Sequence, residues 1–184
     1  MATTNEQSFI EEFKAFGTTD VKRNLLSHWV ETENNKYEIL GYKVEDASVE
    51  FNWNEEKVTD ITGVTYSSIT KSEPEMSLEG YIIREGSAFI DKLAKLAIRN
   101  AYNEFSGFTI VTVYGWLTKT SGGTEYLAKK ETGCTIKPDS IGGQDYARIT
   151  PTISFSNNAV YGIATITNGV LTFTQQQPAP AQTT

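Results

Sequence analysis

The chain has 184 residues and a mass of 20.4 kDa, which suits one folded domain carrying an additional arm. Its 16 basic and 23 acidic side chains give a formal charge of −7, and residues 1 to 60 hold 13 of the acidic and 6 of the basic ones. The lack of a basic patch argues against strong nucleic-acid binding, and the single cysteine, Cys134, excludes an internal disulfide or a multi-thiolate metal site.

The N-terminal region predicts a short amphipathic helix over residues 8–16. Ser8 and Glu11 match a capping box, and Gly17 follows the segment as a stop signal. The helix would present one apolar face, formed by Phe9, Phe13 and Phe16. We treat residues 1–36 as an N-terminal arm whose apolar face lacks obvious local cover. These three phenylalanines are therefore candidates for contact with a neighbouring subunit.

Residues 37–66 predict β-structure of the half-buried, antiparallel kind. Between Ser48 and Asn54, apolar side chains alternate with polar ones, which places the two sets on opposite faces of a strand. The apolar set is Val49, Phe51 and Trp53, and the polar set includes Glu50, Asn52 and Asn54. We expect the first set to face the core.

The clearest helix signal runs from Ser87 to about residue 104. Ser87 is a suitable N-cap residue. A continuous apolar stripe at three- and four-residue spacing follows it, formed by Phe89, Leu93, Leu96, Ala97 and Ala101. A β-branched strand begins directly after Gly107. One helix thus flanks a chain that is otherwise predicted to be mainly β.

The C-terminal part of the chain carries no charged residue between Ile149 and Thr184. Two alternating runs, 149–155 and 160–167, flank a Ser-Asn-Asn-Ala segment and predict a hairpin. Exposed sheet edges promote pairing between chains, and soluble monomers commonly protect them with charge. Such a ribbon is either covered within its own domain or joined to other subunits. The last ten residues, 175–184, are low in complexity and predict a mobile tail.

No catalytic, cofactor-binding or metal site is visible in the sequence. His28 is the only histidine, so paired-histidine sites are excluded, and we interpret it as a partly exposed structural residue. Cys134 lies in a strand-like context and is interpreted as a small buried apolar side chain. We expect a protein that is not an enzyme and needs no cofactor.

The order of elements is similar to that of the major tail tube proteins of long-tailed bacteriophages and phage-derived tail-like particles. The similarity covers roughly residues 37–174. It rests on the acidic strand–loop–strand segment 46–63, the helix running directly into a strand (88–114), the Ser-Ile-Gly-Gly loop at 140–143 and the final Gly-Val-Leu-Thr-Phe segment ending at 173.

This resemblance implies a β-sandwich-like barrel domain over residues 37–174 that forms hexameric rings. The rings would stack into a tube with a continuous inner β-barrel around a channel. Ile149, Ile153 and Phe155 would then face the subunit core. The candidates for the channel face are Glu50, Asn52, Asn54, Thr150, Thr152 and Ser154.

The implied function is that of a structural virion protein through which viral DNA is ejected without specific binding. The implied partners are further copies of the chain, a tape measure, a terminator and, where the tail is contractile, a sheath. The protein would be made in the host bacterial cytoplasm, would reside in the virion tail and would not insert into membranes. The alternative from a different class is a monomeric β-sandwich that binds carbohydrate through exposed aromatic residues such as Trp53, Trp116, Tyr114 and Tyr161.

Overall fold

The computed structural model describes residues 4–16, 20–41, 43–44 and 46–176. Within these ranges the helices are α1 (Thr4–Glu11) and α2 (Ala88–Ile98), with short 3-10 turns at Arg23–Leu25 and Tyr102–Glu104. The strands are β1 (Lys14–Ala15), β2 (Leu26–Glu33), β3 (Lys36–Ile39), β4 (Val49–Glu50), β5 (Trp53–Thr59), β6 (Thr65–Ser72), β7 (Glu75–Ser77), β8 (Tyr81–Ile82), β9 (Phe108–Thr118), β10 (Tyr126–Gly142), β11 (Arg148–Ser154), β12 (Ala159–Thr167) and β13 (Val170–Gln175). The predicted mainly β fold with a flanking helix is confirmed.

Six antiparallel strands form a curled sheet, which we call the large sheet, in the order β3-β2-β9-β10-β12-β13. The sheet curls until β13 lies against β3, so it approaches a closed barrel. Its interior holds one apolar cluster, formed by Trp29, Val111, Val113, Ala128, Ala164 and Leu171. Lys130 lies at the seam, where its Nζ is 3.1 Å from the hydroxyl of Tyr37 and 3.6 Å from a carboxylate oxygen of Glu31.

A second sheet, the small sheet, shares β10 with the large one. The first half of β10 pairs with β9 and β12, and residues 135–142 pair with β11. Beyond β11 come β7 and β8, which occupy successive parts of one strand position, and then β4 at the far edge. The inner face of the small sheet, the wall of the large sheet and α2 enclose the main core.

Helix α2 follows its sequence signals closely at its start and ends earlier than predicted. The Ser87 hydroxyl accepts a hydrogen bond from the Ile90 amide, and Phe89, Leu93 and Leu96 are buried as predicted. At the other end, Asn100 adopts a left-handed conformation, and the Ala101 amide donates to the Leu96 carbonyl at 3.0 Å. This terminating hydrogen-bond pattern closes the helix after Ile98 instead of near residue 104.

The prediction that the two uncharged runs form a hairpin is wrong. β11 and β12 do not pair with each other; both lie along the same side of β10 and form one interrupted strand position. The segment 155–158 between them is a local interruption of that strand and not a chain reversal, with the Thr132 amide donating to the Asn158 carbonyl at 3.2 Å. Each neutral strand therefore has a ladder partner in its own chain, so the ribbon does not need another copy for its backbone hydrogen bonds. Residues 177–184 of the predicted tail lie outside the described residues.

The N-terminal region is integrated into the domain and does not form a separate arm. α1 ends at Glu11, β1 pairs with the end of β9, and β2 lies between β3 and β9 in the large sheet. Phe9 and Phe13 are buried against Leu127 of their own chain, with the two phenyl rings 5.1 Å apart. The expectation that they lack local cover is therefore wrong. Phe16 remains exposed, and Gly17 lies outside the described residues.

Candidate assembly interface

The small sheet exists because β10 leaves its partner β9 halfway along its length. Gly133 has a φ of +81°, and the pairing shifts between Thr132 and Cys134, where the contact with β9 ends. Glycine adopts this backbone conformation with little strain, which allows the bulge to turn the strand. From this point β10 runs out of the barrel wall and supports the small sheet.

The two faces of the small sheet differ sharply in chemistry. The inner face is apolar, and Met76, Ile136, Ile149 and Ile153 are all buried in the core. Phe155, just beyond the end of β11, is buried in the same core. The expected burial of Ile149, Ile153 and Phe155 is thus confirmed.

The outer face of the small sheet is polar, and it brings together four of the six channel-face candidates. Register places Thr150, Thr152 and Ser154 of β11 on this face, and Glu50 lies beside Glu75 two strand positions away. The Thr152 hydroxyl donates to Asp139 Oδ2 at 2.5 Å, and the Ser154 hydroxyl donates to Glu75 Oε1 at 2.9 Å. Neither Glu75 nor Asp139 was predicted as a channel-face residue. The alternation of polar and apolar side chains from Glu75 to Glu79 could have identified Glu75.

Asn52 and Asn54 do not join this face. Asn52 has a φ of +46° and its side-chain amide donates to the Glu73 carbonyl, so the chain turns between β4 and β5. Asn54 lies on β5, in a different sheet. The expectation that Phe51 and Trp53 face the core is also wrong, because they are 52% and 60% exposed and stack on each other at 5.5 Å.

The outer face carries charges of both signs, the acidic Glu50, Glu75 and Asp139 and the basic Lys137 and Arg148, and Lys137 lies opposite Thr152. Lys137 Nζ lies 2.9 Å from Asp139 Oδ1. Burial alone would raise the pKa of Asp139, but hydrogen bonds from Thr152 and Lys137 outweigh it and lower the pKa. The hydrogen bond with Asp139 likewise raises the pKa of Lys137. Both groups are therefore charged at neutral pH, and the carboxylates of Glu50 and Glu75 have no cation paired with them among the described ion pairs.

Both edges of the small sheet are open among the described residues. On one side, residues 137–142 of β10 have β11 on one edge only, because the last described contact on the other edge is the Ile136 amide donating to the Phe105 carbonyl. On the other side, β4 pairs with β7 alone. A sheet with two free edges can be extended by strands from another chain at either edge.

A second protruding element is the hairpin of β5 and β6, which we call the arm hairpin. Its ladder is formed only between its own two strands, from Trp53–Ser72 to Thr59–Thr65. Every residue of both strands is exposed except Ser72. Isolated two-stranded hairpins have marginal stability in water. The arm hairpin therefore presents a surface for which the described part of the chain supplies no cover.

The residues considered for chemistry do not form a catalytic arrangement in the structure. His28 is buried, which corrects the expectation of partial exposure, and its Nδ1 lies 3.1 Å from the Thr112 hydroxyl. Cys134 is fully buried as predicted, and burial raises the pKa of its thiol. Buried thiols of raised pKa are poor nucleophiles.

Three of the four aromatic residues that suggested a sugar-binding strip lie together, with the rings of Tyr114 and Trp116 5.5 Å apart, and Trp53 lies apart from them. Tyr114 and Tyr161 pack against the cluster of Phe9, Phe13 and Leu127, and Trp53 projects on the arm hairpin. Burial raises the pKa of Tyr114 to about 12, in agreement with a packed rather than a solvent-facing position. Of the four, Trp53 alone is largely exposed, so they do not form the exposed strip on which the carbohydrate-binding alternative depended.

Comparisons with known proteins give structural likenesses but no match by sequence. No protein-family profile matches the chain, and no curated protein matches it. Among solved structures, it is similar to a chain of an extracellular contractile injection system, the PVC sheath–tube complex in its extended state, with a TM-score of 0.47 and 13% identity. The likeness covers 86% of this chain and 98% of that chain. Within the described ranges, no helix is long and apolar enough to span a membrane.

Proposed function

We propose that this chain is a structural protein that polymerises into the tail tube of a phage or tail-like particle, as stacked hexameric rings. The observation that carries the proposal is the small sheet, whose two edges are open while its inner face is buried and its outer face is polar. Copies joined edge to edge, residues 137–142 of one beside β4 of the next, would continue this sheet around an axis. Contacts that close under rotation give rings, and a closed barrel leaves no free edge.

In such a ring the polar outer face would line the bore. Glu50, Thr150, Thr152 and Ser154 keep their role as channel-face candidates, joined by Glu75 and Asp139. DNA is a dense polyanion that basic walls would hold through many phosphate contacts. On this face Lys137 is already paired with Asp139, so Arg148 and the hydroxyls are the groups that a passing phosphate could contact, and binding to DNA would be weak. The function proposed is therefore a passive conduit for viral DNA, with no enzymatic activity and no cofactor.

The first experiment tests assembly through the edge of β10. Ile141 lies on that edge and is 48% exposed, so Ile141→Lys should fold normally and place a charge where a neighbouring strand would pair. We expect rings or tubes of the wild-type chain in negative-stain electron micrographs and only monomers of Ile141→Lys. Ile98→Lys, at an exposed position of α2, is the matched control and should assemble. A wild-type chain that stays a 20-kDa particle at high concentration would overturn the proposal.

The second experiment tests the channel face itself. Glu75→Lys, on the interior strand β7 of the small sheet, should leave assembly intact and impair DNA delivery by infectious particles, because it places a cation beside the path of the DNA. Glu85→Lys makes the same charge change in the exposed turn before α2 and serves as the control. Equal delivery by the two variants would show that the outer face of the small sheet does not line the bore.

A further inference from the structure

The strands of the small sheet are in register from one open edge to the other. One row of inner-face side chains crosses the whole sheet through consecutive ladder pairs, formed by Ile136, Ile153, Met76 and Val49. The adjacent row lies on the outer face and runs from Thr135 at one edge to Glu50 at the other. Each residue of β4 therefore has a defined level on β10.

The two open edges run in opposite directions. Successive strands of the small sheet are antiparallel, and its four positions are β10, β11, β7 and β4. Rotation about a ring axis preserves the direction of each strand along that axis. In a ring, β4 of one copy would therefore meet β10 of the next as an antiparallel pair, the kind of ladder that the sheet already uses within the chain.

Two features of the edges restrict how β4 can lie along β10 of a neighbour. A straight continuation of the rows would pair Val49 with Ile136, but the Ile136 amide already donates to the Phe105 carbonyl at 2.8 Å. The shift away from this position must be an even number of residues, since a one-residue slip would exchange the polar and apolar faces. The smallest such shift is two residues, and it places Glu50 directly opposite Lys137. Closed barrels require a stagger of this kind.

Charge on the outer face favours the two-residue shift. Glu50 lies directly opposite Glu75 in the ladder of β4 and β7, and like charges in such a pair destabilise it. Lys137 stands at the other edge, and its side chain is 61% exposed although it pairs with Asp139. Lys137 of one copy can therefore also contact Glu50 of the next, which relieves the repulsion at the edge that carries Glu50.

The apolar residues after β4 fit the same arrangement. Val49 would lie opposite Pro138, which has no amide proton to donate, so the backbone ladder is short and side chains have to hold the edges together. Phe51 would lie level with Ile136, where the segment that carries Phe105 covers β10. The exposed, stacked rings of Phe51 and Trp53 would then lie against that segment. Aromatic side chains of this kind commonly supply much of the binding energy of an interface.

We infer that neighbouring copies join with Glu50 of one directly opposite Lys137 of the next, and with Phe51 and Trp53 of the first against the Phe105 segment of the second. This inference rests on the proposed ring and extends it by defining the register of the joint. The two surfaces lie at opposite edges of one sheet, so each copy binds the preceding copy through one and the following copy through the other.

Reversing the two charges tests the pairing. Glu50→Lys and Lys137→Glu should each reduce the yield of rings in negative-stain micrographs at least tenfold, because each places like charges together across the joint. The double variant Glu50→Lys/Lys137→Glu restores opposite charges and should recover most of the rings, and Glu85→Lys, in the exposed turn before α2, should assemble as the wild type does. Thermal denaturation shows whether each variant folds. A folded double variant that assembles no better than the single ones would overturn the pairing and leave the ring proposal standing.

Disulfide cross-linking measures the register without changing the sign of any charge. Chains with both Glu50→Cys and Lys137→Cys should form covalent oligomers up to the closed ring on mild oxidation, since residues directly opposite on antiparallel strands come within disulfide reach. Glu50→Cys combined with Thr135→Cys or with Ser140→Cys places the second thiol at another level of the same edge and should leave monomers. The native Cys134 is fully buried and contributes no background. Rings that cross-link through residue 135 or 140 instead of 137 would overturn the register alone, and a wild-type chain that forms no assembly would overturn the ring proposal with it.

Discussion

His28 Nδ1 lies 3.1 Å from the hydroxyl oxygen of Thr112, and both side chains are buried on the outer wall of the large sheet. Within the described part of the chain, the second ring nitrogen of His28 has no hydrogen-bond partner. The imidazole is therefore held neutral, because a charged ring would lack both solvation and a compensating carboxylate.

This burial makes the stability of the fold sensitive to acid. Burial, and then the charge of Arg23, lower the pKa of His28 from 6.5 to about 4. Between these values the unfolded chain binds the proton and the folded chain does not, so stability is complete above about pH 6.5 and falls as the pH is lowered towards 4. We expect a loss of about 2 kcal/mol between pH 7.5 and 5. Urea denaturation of wild type and His28→Gln measures it, and identical pH profiles would contradict it.

The close packing around Gly162 leads to a second prediction about stability. A Cβ built at this position would lie 2.3 Å from the Thr174 carbonyl oxygen and 3.0 Å from Gln175 Cα, both in backbone of β13. Backbone atoms in a paired strand cannot yield easily, so Gly162→Ala should cost roughly 1–3 kcal/mol. Gly142→Ala is the matched control, since nothing lies within 4 Å of its Cβ. Equal midpoints in thermal or urea denaturation would show that β13 moves aside freely.

The burial of the N-terminal phenylalanines gives a third prediction. Phe9→Ala removes a ring packed against Phe13 and Leu127 and should destabilise the domain by about 3 kcal/mol. Phe16→Ala, at an exposed position, should change stability by less than about 0.5 kcal/mol. Chemical denaturation of monomeric protein separates the two. A Phe9→Ala variant as stable as wild type would mean that α1 contributes no packing energy to its own domain.

The end of α2 gives a fourth prediction. Asn100 has a φ of +53°, in the left-handed region that glycine tolerates best and alanine poorly. Asn100→Gly should therefore be neutral or slightly stabilising, and Asn100→Ala should cost about 1 kcal/mol. The difference between the two unfolding free energies is the measurement. Its absence would indicate that the helix end rearranges to avoid the strained conformation.

Local signals predicted the parts of this fold that local physics decides. Ser87 caps α2 as its hydroxyl chemistry requires, and the alternation of Ile149 and Ile153 places both in the core. The segment 155–158 carries an equally clear turn signal, but the chain does not reverse there as that signal predicted. Turn residues mark a departure from regular strand pairing, but long-range pairing with β10 decides whether the chain then reverses or continues in the same direction.

The candidate interface shows the same difference between features set by local sequence and features set by long-range contacts. Alternation correctly grouped Thr150, Thr152 and Ser154, because side chains two residues apart share a face whatever covers it. Periodicity could not show that Phe51 and Trp53 lack a covering layer, since exposure depends on elements elsewhere in the chain. The burial of His28 was missed for a similar reason: its partner Thr112 is 84 residues away.

The 17 residues of β10 belong to the large and small sheets at once, and β11 and β12 follow the same path beside them. The two sheets are therefore connected by one continuous strand and not by a loop. If the small sheets of neighbouring copies are fixed edge to edge, the orientation of each barrel is fixed with them. Bending of the resulting particle would then have to occur between copies and not within them.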